Sequence, residues 1–326
     1  VIFFNTGVPG AIIGLTLASF GSFLVGMRLL TLPFKDVTRR KTDLTTADIL
    51  RFSMPVFSSS LYGFVIGSAS QFFVSRYLGV ENFAMFANGY RELPIAGIVI
   101  GAVAGILLPE FSRMTKGGSD SKQYLVLWKN VVLKSAAVIY PFSLYCCIFA
   151  PEIMGVLYGT VYREAADLFR IVTIINLVRI VPYGPIMFAL GKGKIFAKAH
   201  LVTALLLLGL DFLCVTFFPS LSAIAIIATT TTVFCLVVLM VSTARLLNTG
   251  LSRLMPWKSM FKILSVSTFS CFLGSCAVNL IGVTRDFPAL LSGFLISIVI
   301  YLPLSYIAGI NYARLLKPLV STNQRK

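Results

Sequence analysis

Long apolar stretches separated by short polar turns dominate the chain, at 8–30, 49–78, 81–113, 125–150, 165–190, 195–218, 221–246, 261–282 and 287–312. Each is long enough to cross a bilayer core, which takes about 20 helical residues. None alternates apolar and polar positions as a half-buried strand does, and a segment in lipid must satisfy its own backbone hydrogen bonds, so all nine are expected to be helices. The expected fold class is therefore all-α, a polytopic membrane helix bundle. Composition fits: 57% of residues are hydrophobic and the mean hydropathy is +0.89. The 14 prolines and 25 glycines do not oppose it, since both are commoner in membrane helices than in soluble ones.

Charge then orients the spans. Of the 28 basic residues, most fall in one alternate set of turns: Lys35 to Lys41, Arg113 to Lys122, Lys192 to Lys198, Arg253 and Lys258, and the tail from Arg314 to Lys326. All the lysines lie in these turns or on their flanks. By the positive-inside rule these turns are cytoplasmic, and those around Gly79, Tyr158, Pro219 and Arg285 face outward. The net charge of +16 reads as a topology signal that also favours anionic membrane lipids. Nucleic acid is not an expected partner, because no basic stripe sits on a soluble module. Nine spans put Val1 outside and Lys326 in the cytoplasm. Without an initiator methionine, the chain reads as the C-terminal part of a longer protein with an odd number of preceding helices.

Catalytic and metal chemistry find little support. The six cysteines, Cys146, Cys147, Cys214, Cys235, Cys271 and Cys276, lie inside apolar spans and form no C-x-x-C pair. The single histidine, His200, sits beside Lys198. A zinc site or a histidine-based triad is excluded on this pattern. No cofactor is expected, beyond coupling to protons or sodium.

Segment 149–166 (FAPEIMGVLYGTVYREAA) resembles a recurring stretch of bacterial polysaccharide-biosynthesis membrane proteins. These are the lipid-linked oligosaccharide flippases of the multidrug/oligosaccharidyl-lipid/polysaccharide exporter superfamily. Arg51-Phe52-Ser53-Met54-Pro55, Tyr77-Leu78-Gly79-Val80-Glu81-Asn82-Phe83 and Gly105-Ile106-Leu107-Leu108-Pro109-Glu110-Phe111-Ser112-Arg113 are similar to the same group, the last also to the lipid II flippase. The likeness covers roughly residues 48–247. It implies two six-helix lobes around a central cavity, with these spans as helices six to fourteen of fourteen. Residues 1–47 would then hold the last helix of the first lobe and a basic linker, 48–250 the second lobe, and 251–326 two further helices and a basic tail. Relatives often carry an aspartate near the outer end of the first span of this lobe, where this chain has Gln71. Any ion coupling must then use another acid.

Six arginines lie outside the cytoplasmic set. Arg76, Arg163 and Arg285 sit at outer helix ends, where they can snorkel to headgroups. Arg163, Asp167 and Arg170 are spaced for an intrahelical ion ladder. Arg91 and Arg179 fall near mid-bilayer, where an arginine costs at least about 2.5–3.5 kcal/mol on insertion scales and so should face a partner or an aqueous cavity. Both lie in the pattern N-x-x-R-x-x-P, as Asn88-Gly89-Tyr90-Arg91-Glu92-Leu93-Pro94 and Asn176-Leu177-Val178-Arg179-Ile180-Val181-Pro182. The proline should leave Tyr90 O and Val178 O without their helical donors and permit a kink. A guanidinium fork, an amide and a free carbonyl suit a phosphate. Alternatively each arginine only balances an acid, Arg91 its neighbour Glu92 or a more distant carboxylate. Glu92 and Asp211, the acids deepest in the apolar runs, are the candidates for ion coupling, although Asp211 could equally bond to an interfacial group. Gly97, Gly101 and Gly105 mark a face for close helix packing or for sliding. Ser58, Ser59, Ser60, Ser68 and Ser70 could line a cavity or simply pack.

The expected function is translocation of an undecaprenyl-pyrophosphate-linked oligosaccharide across the bacterial inner membrane by alternating access, with no enzymatic activity. Its expected substrate-binding residues are Arg91, Arg179, Asn88 and Asn176, with Arg170 and Arg76 as weaker members. Partners would be the lipid-linked oligosaccharide, membrane lipids and a downstream polymerase and export machinery. The rivals are a lipid II flippase, a multidrug antiporter, and a membrane-embedded polymerase or glycosyltransferase. An antiporter for cationic drugs should line its cavity with acids, and an enzyme should carry a large loop.

Overall fold

The computed structural model describes residues 7–32, 45–92, 94–310 and 312. These residues are almost entirely helical, with no strand among them. Eight helices are long and apolar enough to cross a membrane: α1 (Gly7–Thr31), α2 (Thr46–Tyr77), α4 (Pro94–Lys116), α5 (Ser121–Ile148), α10 (Gly193–Phe217), α11 (Leu221–Leu246), α13 (Trp257–Ile281) and α14 (Asp286–Ile307). Short helices join them: α3 (Val80–Gly89), α6 (Ala150–Tyr158), α7 (Ala166–Thr173), α8 (Ile175–Val178), α9 (Gly184–Ala189) and α12 (Leu251–Leu254). A 3-10 segment, Thr160–Ala165, lies between α6 and α7. This is a multi-pass, all-α membrane protein. The basic cluster Lys35, Arg39, Arg40 and Lys41 and both chain ends, with the tail from Arg314, lie outside the described residues.

The chain divides into two units, Val1–Leu50 and Arg51–Lys326. The first holds α1, whose apolar residues are exposed all round, as expected of a helix whose solvent is lipid. It also holds the start of α2, where the Asp48 amide donates to Thr45 Oγ1 at 3.2 Å and the Thr45 amide to Asp48 Oδ2 at 3.1 Å, a reciprocal cap on the helix N-terminus.

The second unit is built around α5. Its buried side chains include Trp128, Val131, Val132, Ile139 and Tyr140, packed against α4, α7, α8 and α13. Lipid tails are as apolar as these side chains, so packing and hydrogen bonds must join the helices. α5 supplies both: Tyr140 Oη donates to Leu177 O at 3.0 Å, and Tyr145 Oη to Leu290 O at 2.7 Å. Like ends of the helices meet. At the lysine-rich end, Gly193 abuts Pro55 and Lys262 Nζ reaches Ala308 O at 3.4 Å. At the other, Arg163 pairs with Asp286.

Two expected spans are not continuous helices. Run 81–113 divides into α3 and α4 at 90–92, with Pro94 opening α4. Run 165–190 is a composite of α7, α8 and α9, interrupted at 179–183. Proline chemistry is the reason. Pro182 removes a donor and crowds Val178 O, it pushes Val181 toward extended backbone, and Pro185 is best placed at the start of the next helix. The connection after α5, expected as an outward-facing turn, contains α6 and the 3-10 segment instead. Gly97, Gly101 and Gly105 do not pack closely: no heavy atom of the described residues lies within 4 Å of a Cβ built on any of them.

Gly89 is where the two interrupted regions touch. A Cβ there would lie 2.8 Å from Ala165 Cβ and 3.1 Å from Leu168 Cβ, so only glycine lets α3 seat against the start of α7.

Gly89→Ala should therefore destabilise the folded protein by about 1–3 kcal/mol through overpacking. Thermal unfolding in detergent should show a lowered midpoint, partly restored by Ala165→Gly in the same chain. An unchanged midpoint in Gly89→Ala would show that the two helices do not meet closely at this residue. In a cysteine-free background, an impermeant thiol reagent applied to intact cells should label Val161→Cys and spare Lys192→Cys. Both are exposed, and the reverse pattern would invert the proposed orientation.

Candidate functional site

Each N-x-x-R-x-x-P segment ends a helix at or just before its arginine. α3 stops at Gly89, with Tyr90 as its C-cap residue at φ −83° and ψ 58°. α8 stops at Val178, with Arg179 as its C-cap residue at φ −85° and ψ 70°. Around Arg179 this is an inverse γ-turn, closed by the Ile180 amide donating to Val178 O at 3.1 Å. Val178 O is therefore not the free carbonyl expected beside the arginine; the tighter turn replaces the donor that Pro182 lacks.

The turn aims Arg179 at the other break. Its Nη2 pairs with Glu92 Oε2 and lies 3.4 Å from Asn176 Oδ1, while Nε is buried without a partner. Asn176, three residues earlier on the same face, is 4% exposed. Glu92 is thus the counter-ion of Arg179 and not of its neighbour Arg91. Arg91 has an exposed side chain and no ion pair among the described residues. With Asn88, Glu92, Tyr158 and Phe169 it lines a pocket of 330 Å³. One wall of this pocket is therefore a carboxylate already engaged by Arg179, and another is an unengaged guanidinium.

A second polar cluster adjoins the first through Tyr90. The ring of Tyr90 stacks on Phe86, with centroids 5.0 Å apart, and packs against the small group of Ala69, Leu207 and Ala228. Its hydroxyl meets Thr229 Oγ1 at 2.9 Å. On the same two helices as Ala69 and Leu207, Ser70 Oγ donates to Asp211 Oδ2 at 2.7 Å. Asp211 is fully buried and its Oδ1 has no partner among the described residues. The interfacial alternative for Asp211 is corrected by this burial: its hydrogen bond is to Ser70, inside the bundle. A buried carboxylate needs a proton or a cation to be tolerated there, and one open oxygen can take either.

The remaining expected residues lie apart. Arg170 donates from Nε to Cys147 O at 3.1 Å and from Nη1 to Asp167 at 2.8 Å, fastening α7 to α5. Arg76 lies over the neighbouring Tyr77 ring, 5.8 Å from its centroid. The ion ladder from Arg163 is only half formed, because Arg163 turns to Asp286. Ser59 and Ser60 return their hydroxyls to Val56 O, so of the serines on α2 it is Ser70 that joins the cluster. The residues that sequence reasoning overlooked are Thr229 and the Tyr90 hydroxyl. Their signal was the run Thr229-Thr230-Thr231-Thr232 inside an apolar span.

Comparison with known proteins adds the family. No curated protein and no solved structure matches the chain. A family model described as polysaccharide biosynthesis protein matches residues 3–167, which include α1 to α6, Arg91 and Glu92 and stop short of Arg179 and Asp211. About half of the sequence is covered, and the chain belongs to this polysaccharide biosynthesis protein family.

Proposed function

We propose that the protein is a flippase that moves an undecaprenyl-pyrophosphate-linked oligosaccharide across the bacterial cytoplasmic membrane, with its lysine-rich helix ends inside. The observation that carries this is the Arg179–Glu92 pair between two interrupted helices, beside the unengaged Arg91 in an open pocket. Polysaccharide assembly uses lipid-borne, anionic sugar intermediates, and interrupted helices at membrane depth are tolerated where they are buried in protein or line a water-filled cavity.

Charge competition gives the mechanism. A diphosphate entering the pocket meets Arg91, whose guanidinium fork binds phosphate oxygens in pairs. Its charge exceeds that of one carboxylate, so it competes with Glu92 for Arg179. Glu92, displaced beside an anion, then takes up a proton or a sodium ion. Substrate binding and cation binding become linked, and each must favour the same state of the lobe. Asp211, with Ser70 on one oxygen and nothing on the other, is the second acid in this relay. The prenyl chain stays in lipid while the helix breaks give the lobe its hinge, and polymerase and export machinery act on the product. With Glu92 already paired to Arg179, the free charge in the pocket is that of Arg91, which favours an anionic substrate over the cationic drugs of an antiporter.

Substitutions separate a phosphate clamp from simple charge balance. Lysine keeps the charge and loses the fork. Glycan export by the full-length protein, normalised to membrane expression, should fall about ten-fold or more in Arg91→Lys and Arg179→Lys, approaching the alanine variants. Near-normal export in both lysine variants, or restored export on removing Arg179 and Glu92 together, would overturn the clamp and leave a structural ion pair.

A further inference from the structure

α2 and α10 run parallel and side by side. Among the described residues they meet at Pro55 with Gly193 and at Ser70 with Asp211, contacts roughly 22 Å apart along α2 and roughly 27 Å apart along α10 at ~1.5 Å per residue. Beside the first contact lies a pocket of 420 Å³, separate from the two polar clusters above. Arg51 from α2 and Lys194 and Lys198 from α10 ring it. All three are exposed, and none is ion-paired among the described residues. No carboxylate lines the pocket. The rest of its wall is mostly apolar, with Met54 and Pro55 on one helix and Ala197 and Leu201 on the other, joined by Ser58 and Tyr62 of α2.

Helical spacing produces this arrangement. Arg51, Pro55, Ser58 and Tyr62 follow one face of α2, and Lys194, Lys198 and Leu201 one face of α10. Cations at the helix ends with hydrocarbon-like wall beyond them match an amphiphile, a phosphate with an attached chain. A soluble anion would use the charges and leave the apolar wall unpaired. Basic pockets between membrane helices on the cytoplasmic side bind anionic headgroups by this logic.

We propose that this pocket holds the phosphate headgroup of an anionic phospholipid from the leaflet on the lysine-rich side, bridging α2 to α10. Arg51 supplies a two-pronged contact to the phosphate, and Lys194 and Lys198 supply point charges from the facing helix. The first acyl carbons lie against Met54 and Leu201. The bound lipid clamps together the two helices whose far contact is the Ser70–Asp211 hydrogen bond, so the lipid composition of that leaflet biases how tightly they close. This goes beyond the transport reading and does not depend on it.

The test uses the purified full-length protein in zwitterionic lipid nanodiscs, titrated with phosphatidylglycerol or phosphatidylcholine and followed by thermal unfolding and by lipid retention in native mass spectrometry. Phosphatidylglycerol should raise the unfolding midpoint and be retained. R51Q/K194Q/K198Q should weaken its binding on the order of ten- to a hundred-fold, while K122Q/R253Q/K258Q, with the same loss of charge elsewhere, should keep it. K198Q alone, one exposed change, should lower retention several-fold and serves if the triple variant does not fold. Equal loss in both triple variants would show general attraction to the basic surface and overturn a built site. Tighter binding of polyprenyl diphosphate than of phosphatidylglycerol, or equal stabilisation by inorganic pyrophosphate in detergent, would overturn the phospholipid assignment.

Discussion

The pairing of Arg179 with Glu92 is the constraint on which the lobe turns. Neither charge is tolerable alone at the depth where the two helices stop, and each is presented by a segment that has left helical geometry. In hydrocarbon such segments survive only if protein groups meet their freed backbone atoms. Here the Ile180 amide takes Val178 O, and Tyr140 of α5 takes Leu177 O. Arg170 fixes the outer end of the composite helix to Cys147 O. The ion pair thus joins two helix ends that their neighbours already hold in place.

That arrangement gives the two embedded acids different tasks. Glu92 is neutralised by a guanidinium that a phosphate would also seek, so its state follows whatever occupies the pocket beside Arg91. Asp211 has no cation near its open oxygen among the described residues, and its only hydrogen bond is to a hydroxyl. On the proposed mechanism, one acid would answer to an anion and the other to a proton or metal ion. Tyr90 stands between them, with its backbone in the break that carries Arg91 and its hydroxyl on Thr229, so a shift at one cluster is felt by the other.

Of the membrane-length helices in the second unit, α2 is the least buried and so the most open to such shifts. Few of its residues are buried, and it meets α10 through a proline–glycine contact at one end and a serine–aspartate hydrogen bond toward the other. In a membrane, small-residue packing and interhelical hydrogen bonds are what hold helices together, and α2 has few of either. The basic pocket beside the first contact is where, on the proposal above, the surrounding lipid would act on that freedom.

Much of this protein was determined by its sequence. Run length and polarity demand membrane helices, because lipid leaves a backbone no other donor or acceptor, and the lysine distribution marks which helix ends belong together. Counting residues along each run singled out Arg91, Arg179, Glu92 and Asp211 as charges set deep in apolar segments. Continuity did not follow: proline and glycine also occur in unbroken membrane helices, as Pro109 in α4 and Pro141 in α5 show, so the pattern N-x-x-R-x-x-P could not distinguish a kink from a break. Partner choice did not follow either. Glu92 is adjacent to Arg91 in sequence yet binds Arg179, and Arg163 leaves Asp167 for Asp286, because the direction of a side chain is set by the turn that carries it and by what packs opposite. Contacts such as Ser70 with Asp211 span 141 positions, and only the tertiary structure, by laying two helices side by side, could bring those groups within reach.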